Sequence, residues 1–393
     1  MKDQPEKAPG YYSDADCRPE DLEALTSQVT TSGHAPHAVD ICHNIPVYDA
    51  ADITSDLSDP ARRAELMAEW ARLLLSGPGV VALRGAVRDT DALDTATGVF
   101  EDIIAGEKSA GGEGADHFAA SGANDRIWNA LQKLCLRDPD AFMRSFASPC
   151  IDAVCEAWLG PGYQMTAQVN LVHPGGAAQQ AHRDYHLGFQ TSQASASFPA
   201  HVHALSPALT LQGAVAHTDM PVESGPTKLL PYSQAYLPGY AAWRRDDFRA
   251  FFEENCVQLP LTKGDAIFFS PALFHAAGAN TTTDIHRLAN LLQVSSPFGR
   301  AMETVDRTAM CKALYPVALA ARQAGTLSDA ELTSVVAAVA EGYAFPTNLD
   351  SDPPTGGLAP QTQQAYFREA LEKGVVPDEF DAHLDRMDAR RRA

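Results

Sequence analysis

Apolar residues Leu66, Trp70, Leu73 and Leu74 recur at three- and four-residue spacing, the repeat that gathers side chains on one helical face. Asp59-Pro60 ahead of them offers an N-cap and a first-turn proline, and Gly77 a stop, so the pattern predicts a helix starting at Pro60. Gly79-Val80-Val81-Ala82-Leu83-Arg84-Gly85 reads as a strand, followed by a helix through Leu93, Val99, Phe100 and Ile103. Further helices are expected near 125–135 and 138–159. From about 163 to 297 the texture changes to short β-type runs separated by Gly, Pro and Ser. Candidate strands cover 164–173, 181–189, 208–219, 227–232, 256–259, 265–270, 274–277 and 287–295, a set that suits a jelly roll. After Phe298 the pattern turns helical again. Ser328-x-x-Glu331 forms a capping box before Leu332, Val335, Val336 and Val339. Residues 347–360 read as a loop, and two helices finish the chain, the last from about Pro377 with acids at its start and arginines at its end. Residues 1–45 show no sustained period and are expected to form an irregular segment.

Composition narrows the function classes. Against 50 Asp and Glu stand 30 Lys and Arg, a net charge of −20 at pH 7, which repels phosphate backbones and anionic lipid. No nucleic-acid or membrane partner is expected. At 45% hydrophobic residues the chain can bury a large core. No apolar run reaches the roughly 18–20 residues that cross a bilayer, and no apolar h-region follows Met1–Lys7, so a cytoplasmic protein is expected. The seven cysteines are odd in number, scattered and never spaced C-x-x-C, which suggests plain thiols rather than a disulfide framework or zinc knuckle.

The chemistry concentrates in Gln180-Ala181-His182-Arg183-Asp184-Tyr185-His186. On a strand, residues two apart share a face, so His182 and Asp184 would present an imidazole and a carboxylate side by side, with His186 on the same face. Two histidines and one carboxylate on one octahedral face suit ferrous iron while leaving positions open. His275, at the start of a late strand, can supply the third donor. Twelve residues further, Arg287 opens the last strand of the β region. Iron in such a set keeps one uncompensated positive charge, which favours a chelating 2-oxo acid. A guanidinium is the natural partner for that acid's far carboxylate.

The ordered set His182-x-Asp184, His275, Arg287 resembles the Fe(II)- and 2-oxoglutarate-dependent dioxygenases of the phytanoyl-CoA dioxygenase family. The similarity runs from about Trp70 to Gln293 and includes Gln168 and Asn170, Val215–Asp219, Ser224–Ser233 and Lys263–Phe269. The resemblance implies a mainly β core with α additions, a double-stranded β-helix of jelly-roll or cupin type buttressed by N- and C-terminal helices. It places the dioxygenase domain at 46–300, with a helical part at 58–160 and the jelly-roll core at 163–297, and a C-terminal helical extension at 301–393. It implies that His182, Asp184 and His275 bind Fe(II), that Arg287 holds the distal carboxylate of 2-oxoglutarate, and that Gln168 and Asn170 line the co-substrate pocket or active site. O2 would be the oxidant. Two features depart from the family pattern. The His-to-Arg spacing is one residue longer than usual, the addition falling in Thr281–Asp284, and Arg287-Leu288-Ala289 lacks the Arg-x-Ser pair of some branches. If the longer turn slips the strand by one residue, Arg287 would point outward.

Relatives that halogenate carry Ala or Gly at the position of Asp184, so Asp184 implies hydroxylation or another oxidation, with release of succinate and CO2. The expected substrate is a small polar metabolite or natural-product intermediate. Alternatives are a catalytically silent cupin-like metal-binding or sensor module, and a same-fold oxidase doing desaturation or ring chemistry. The C-terminal helices could form a homodimer contact.

Several other features admit two readings. His182 with His186 lacks the Glu of a helical H-E-x-x-H zinc pair, and His182-Arg183-Asp184 lacks the Asn of a kinase loop, since Phe189 stands in its place. His201-x-His203 is expected in an exposed lid loop, and 190–206 is expected to cover the substrate. His217 could be a core histidine or a substrate contact, and His186 structural or substrate-facing. Tyr185 should face away from the triad. Trp243-Arg244-Arg245 could hold an anionic group or lie at the surface.

Overall fold

The computed structural model describes residues 10–109 and 123–392. The helix Pro60–Leu75 starts where the sequence places it. The Asp59 carboxylate accepts from the amides of Ala61 and Arg62, both at 3.0 Å, and Leu66, Trp70, Leu73 and Leu74 are buried. Eleven strands form among the described residues: β1 Asp40–Cys42, β2 Ile45–Asp49, β3 Val80–Arg84, β4 Asn124–Ile127, β5 Gln164–Val172, β6 Thr210–Ala216, β7 Lys228–Leu229, β8 Val257–Gln258, β9 Ala266–Phe269, β10 His275–Ala276 and β11 Arg287–Ser295.

Eight of them make a major sheet in the order β1-β2-β3-β9-β6-β11-β5-β4, and three make a minor sheet in the order β10-β7-β8. All pairs are antiparallel except β2 with β3. Alternation along the major strands divides the core in two. One face, with Val81, Val169, Leu211, Val215, Phe268, Leu288, Leu292 and Val294, packs against the helices in one continuous core. The other face, with Ala82, Ala214, Ala216, Ile267, Phe269 and Ala289, meets Leu229 of the minor sheet and Met220, Leu259, Leu261 and Leu273 around it. The result is a jelly roll braced by helices on one side and open to a cavity between its sheets.

The structure corrects several expectations. The stretch near 125–135 opens as β4, paired with β5, and its helix starts only at Ala130. The expected helix over 138–159 is two, Pro139–Phe146 and Pro149–Leu159, because Pro149 lacks the N–H that continuation requires. Ser148 Oγ caps the second by accepting from Ile151 N at 3.3 Å. The segment 1–45 is not wholly irregular: Pro19–Thr26 is a helix and β1 joins the major sheet. That helix buries only Leu22, so no apolar period marks it. The stretch 181–189 is not a strand, and 190–206 contains the helices Ser192–Ala196 and Ala200–Ala208. Beyond the jelly roll, Arg307–Ala324 forms a long helix before the capped Asp329–Val339, then Gln363–Lys373 and Pro377–Arg391. All seven cysteines are free thiols. Among the described residues no helix is long and apolar enough to cross a membrane.

Candidate active site

β10 is two residues long and His275 opens it. Leu229 of β7 pairs with it on one side and His182 bridges it on the other, with backbone N–H···O bonds of 3.0 and 3.1 Å in the two directions. This bridge brings the two imidazoles together, ring centroids 4.4 Å apart. Each ring directs Nδ1 to a carbonyl two residues earlier, His182 to Gln180 O and His275 to Leu273 O, both at 2.8 Å. A carbonyl can only accept, so Nδ1 carries the proton and Nε2 is left as a lone-pair donor. Asp184 completes the group, its Oδ1 3.8 Å from His182 Nε2 and its Oδ2 3.4 Å from His275 Nε2. One donor atom from each of the three residues lies within 4.8 Å of the others.

Burial alone would raise the Asp184 carboxyl. His182, His275 and a hydrogen bond from Gln212 more than reverse this and hold it well below the usual carboxylate range. Burial, then the neighbouring His275, lowers His182.

Between the two, Arg183 points the opposite way. Its guanidinium is 1% exposed and donates to Ser233 O at 2.5 Å and Tyr236 O at 2.8 Å. It lies over the rings of Tyr240 and Phe274 at 5.2 and 4.8 Å, and no carboxylate pairs with it among the described residues. Gly239 passes so close that a Cβ there would stand 2.0 Å from Arg183 Cζ, and one on Gly188 would stand 2.0 Å from Arg183 O. Just past Asp184 the backbone turns through positive φ at Tyr185 (62°) and His186 (36°). The turn ends the strand-like alternation, and His186 leaves the face it was expected to share. Its Nδ1 lies 3.1 Å from Ser206 Oγ instead.

The cavity wall comes from the major sheet. Arg287, Ala289, Leu291 and Gln293 of β11 face the cavity in strict alternation. In register beside them stand Asn170 and Gln168 of β5, Ala216, Ala214 and Gln212 of β6, and Ile267 and Phe269 of β9. Arg126 of β4, opposite Asn170, donates from Nη1 to Gln168 Oε1 at 3.1 Å. Trp128, Phe189, Met302 and Thr227 also line the cavity, as do Asp184 and His275.

Arg287 therefore points inward despite the longer turn. Asn280 pins that turn: its Nδ2 donates to Val172 O and Ile285 O, and its Oδ1 accepts from Thr282 N and Oγ1. Arg287 is 5% exposed, and its burial lowers its pKa to about 10. No carboxylate pairs with it among the described residues, and its Nε is buried without a partner.

A model of the phytanoyl-CoA dioxygenase (PhyH) family matches residues 75–289. The chain belongs to the phytanoyl-CoA dioxygenase family. Enzymes of this family use Fe(II), 2-oxoglutarate and O2, and the donor set here fits them. Two imidazole nitrogens and a carboxylate oxygen are the ligand types of a non-haem ferrous site, and a buried guanidinium in the same cavity, without an acid partner among the described residues, suits a dicarboxylate. Curated relatives include Dioxygenase andF of Emericella variicolor, 28% identical over 143 residues (35% of this chain, 45% of that protein). Dioxygenase trt7 of Aspergillus terreus is 29% identical over 136 residues (35% and 42%). The matched stretch of the chain thus spans less than half the length of either relative. Among solved structures, the non-heme alpha ketoglutarate dependent epimerase SnoN from nogalamycin biosynthesis is 22% identical, with 61% of this chain and 84% of that one covered at a TM-score of 0.40. The carbocyclase SnoK from the same biosynthesis is 20% identical, with 58% and 83% covered at 0.42.

The remaining features of this PhyH-family chain fall outside the cavity. No residue of 190–206 lines it. His203, expected on an exposed loop, is buried with Nε2 3.0 Å from Ser195 O. His217 is a core histidine, Nδ1 2.9 Å from Thr97 Oγ1. Tyr185 is buried and lines no part of the cavity. Arg244 stacks on Trp243 and donates to Gly188 O, while Arg245 pairs with Asp247. Sequence reasoning missed Gln212, Gln293, Arg126 and Asn280. For the two glutamines the signal was present: each sits at a cavity-facing position of a strand that is otherwise mostly apolar.

Proposed function

We propose that His182, Asp184 and His275 hold Fe(II), that Arg287 holds the distal carboxylate of 2-oxoglutarate, and that the enzyme hydroxylates a small polar metabolite or natural-product intermediate. One observation carries the reading: a buried guanidinium with no acid partner among the described residues shares a cavity with a His-Asp-His cluster whose imidazoles both present Nε2. An unpaired buried charge is costly, and a dicarboxylate that reaches Arg287 relieves that cost. Bound ferrous iron would supply oxidative chemistry that couples decarboxylation of the 2-oxo acid, to succinate and CO2, with oxidation of the primary substrate.

The chain's own residues orient and enclose. The carbonyls of Gln180 and Leu273 keep the imidazole lone pairs turned toward the cluster. Arg287 meets a carboxylate with a planar fork that stays charged at neutral pH even with its pKa lowered to about 10. Met220, Leu259, Leu261, Ile267 and Phe269 give the cavity an apolar wall, which excludes water and strengthens that contact. Gln168 and Asn170 form, with Gln293, the polar part of the major-sheet wall. Asn170 Oδ1 and Gln293 Oε1 are buried without partners among the described residues, which favours a substrate bearing hydroxyl or N–H donors. We take 46–300 as the catalytic unit and 301–393 as its helical extension.

The test is succinate release from 2-oxoglutarate with Fe(II) and ascorbate across a panel of amino acids, phosphonates, quaternary amines, acyl thioesters and polyhydroxylated natural products. Turnover is expected with a donor-rich substrate and is abolished in His182→Ala and Asp184→Ala. A wild-type protein that binds iron but never forms succinate, even slowly without substrate, would make the chain a binding module.

A further inference from the structure

Gln212 stands in the middle of β6, between Gln293 of β11 and Phe269 of β9, with its side chain turned into the cavity. Its Nε2 lies 2.5 Å from Asp184 Oδ2. A carboxylate oxygen accepts, so the amide presents Nε2 to Asp184 and turns Oε1 away. That Oε1 is buried and has no partner among the described residues. Gln212 itself is 4% exposed. The two carboxylate oxygens of Asp184 are thereby made unequal. Oδ2 accepts a short hydrogen bond from the amide and lies 3.4 Å from His275 Nε2, while no side-chain or backbone donor reaches Oδ1 among the described residues, and Oδ1 faces His182 Nε2 at 3.8 Å.

We propose that Gln212 is a positioning residue that keeps Asp184 a one-oxygen ligand, with Oδ1 toward the metal and Oδ2 held back by the amide. The inference rests on the metal assignment made above. Its chemical consequence concerns how many positions the protein takes. A carboxylate free to rotate can close both oxygens onto a cation, whereas one whose second oxygen is already hydrogen-bonded gives a single bond. With two imidazoles and one oxygen from the chain, three of six positions remain, two for a chelating 2-oxo acid and one for oxygen. Gln212 thus preserves the last open position without touching the metal, as outer-sphere partners do in other metal sites.

The apoprotein titrated with Co(II) alone gives a readout independent of turnover, because the visible bands of Co(II) report coordination number. Gln212→Met keeps length and removes the donor. Gln212→Glu keeps shape and sets a second carboxylate against Asp184. Gln293→Met alters the adjacent cavity wall without a contact to Asp184. Both Gln212 variants are expected to change the Co(II) spectrum and to weaken Co(II) binding by about tenfold or more, with Gln293→Met matching wild type in both. A change in either quantity that is absent from Gln293→Met supports the role. Spectra and affinities unchanged in the Gln212 variants, or changed equally in Gln293→Met, overturn it. Thermal unfolding followed by circular dichroism identifies folded variants, and two isosteric replacements guard against one failing to fold. If wild type does not take up Co(II), or His182→Ala takes it up equally, the metal assignment itself falls. If wild type binds and only the Gln212 variants are silent, Gln212 alone loses its role.

Discussion

Along β11 every second residue from Arg287 to Gln293 faces the cavity, and the strand is paired on both sides over most of its length. The stretch 181–189, which carries two of the three metal-type donors, has one backbone bridge and two residues at positive φ. In the first region, alternation alone aims the side chains. In the second, nothing local aims them: Asp184 N is held by Pro271 O, its own carbonyl by Tyr240 at 3.3 Å, and Arg183 ties the segment to 233–240. Strand order thus aims the Arg287 end of the cavity, while long-range anchors aim the His182-Asp184 end.

The sharpest way to break this contrast is Arg183→Met. It removes two charge-assisted hydrogen bonds and the ring contacts, and should cost on the order of 3 kcal/mol. Chemical denaturation will measure this, and metal binding should fall with it even though neither His182 nor Asp184 is altered. Gly239→Ala, which pushes a methyl into the same guanidinium, should reproduce the effect in milder form. By contrast Arg287→Ala should leave metal affinity near wild type and raise the KM for 2-oxoglutarate by roughly a hundredfold, the worth of about 3 kcal/mol for a buried charged pair. If Arg287→Ala instead abolished metal binding, the two ends of the cavity would not be separable.

A smaller effect is expected at the turn that sets the register. Asn280→Ala deletes four hydrogen bonds around Thr282 and Ile285. Stability should drop by about 2 kcal/mol and the 2-oxoglutarate KM should rise a few-fold, with metal affinity unchanged. The smallest effect on activity belongs to His217, remote from both ends. Burial lowers its pKa from 6.5 to about 4, so the unfolded chain takes up the proton first. Stability is unaffected above pH 6.5 and declines as pH falls from 6.5 toward 4, by up to about 3 kcal/mol. His217→Gln should show a shallower acid slope in thermal unfolding and neutral-pH turnover close to wild type.

The same contrast explains what the chain made legible. β5 and β11 were found to within a residue because long strands with one face on helices and one on a cavity keep a regular pattern. His182 and Asp184 were expected on a strand that does not exist and His275 on a later one that does, yet the three do come together. The group survives because the backbone bridge at His182 preserves the placement of two residues before the turn at Tyr185 breaks it. His186 was misplaced for that reason. Arg287 held its register through Asn280, which no local pattern singled out. The helices Pro19–Thr26, Ser192–Ala196 and Ala200–Ala208 were not anticipated because each buries few apolar side chains. Their stability comes from tertiary contacts rather than from period. Gln212 could not be told from an ordinary strand residue without knowing that Asp184 comes to rest against it.

The most direct test of the central claim is anaerobic titration of Fe(II) into the apoprotein with 2-oxoglutarate present, following the visible charge-transfer band of the chelated complex. Wild type should develop the band at one equivalent of iron. Arg287→Ala should develop it only at about a hundredfold more 2-oxoglutarate, and His182→Ala, Asp184→Ala and His275→Ala should not develop it. A band of wild-type strength in any of those three would contradict the assignment of iron to this triad.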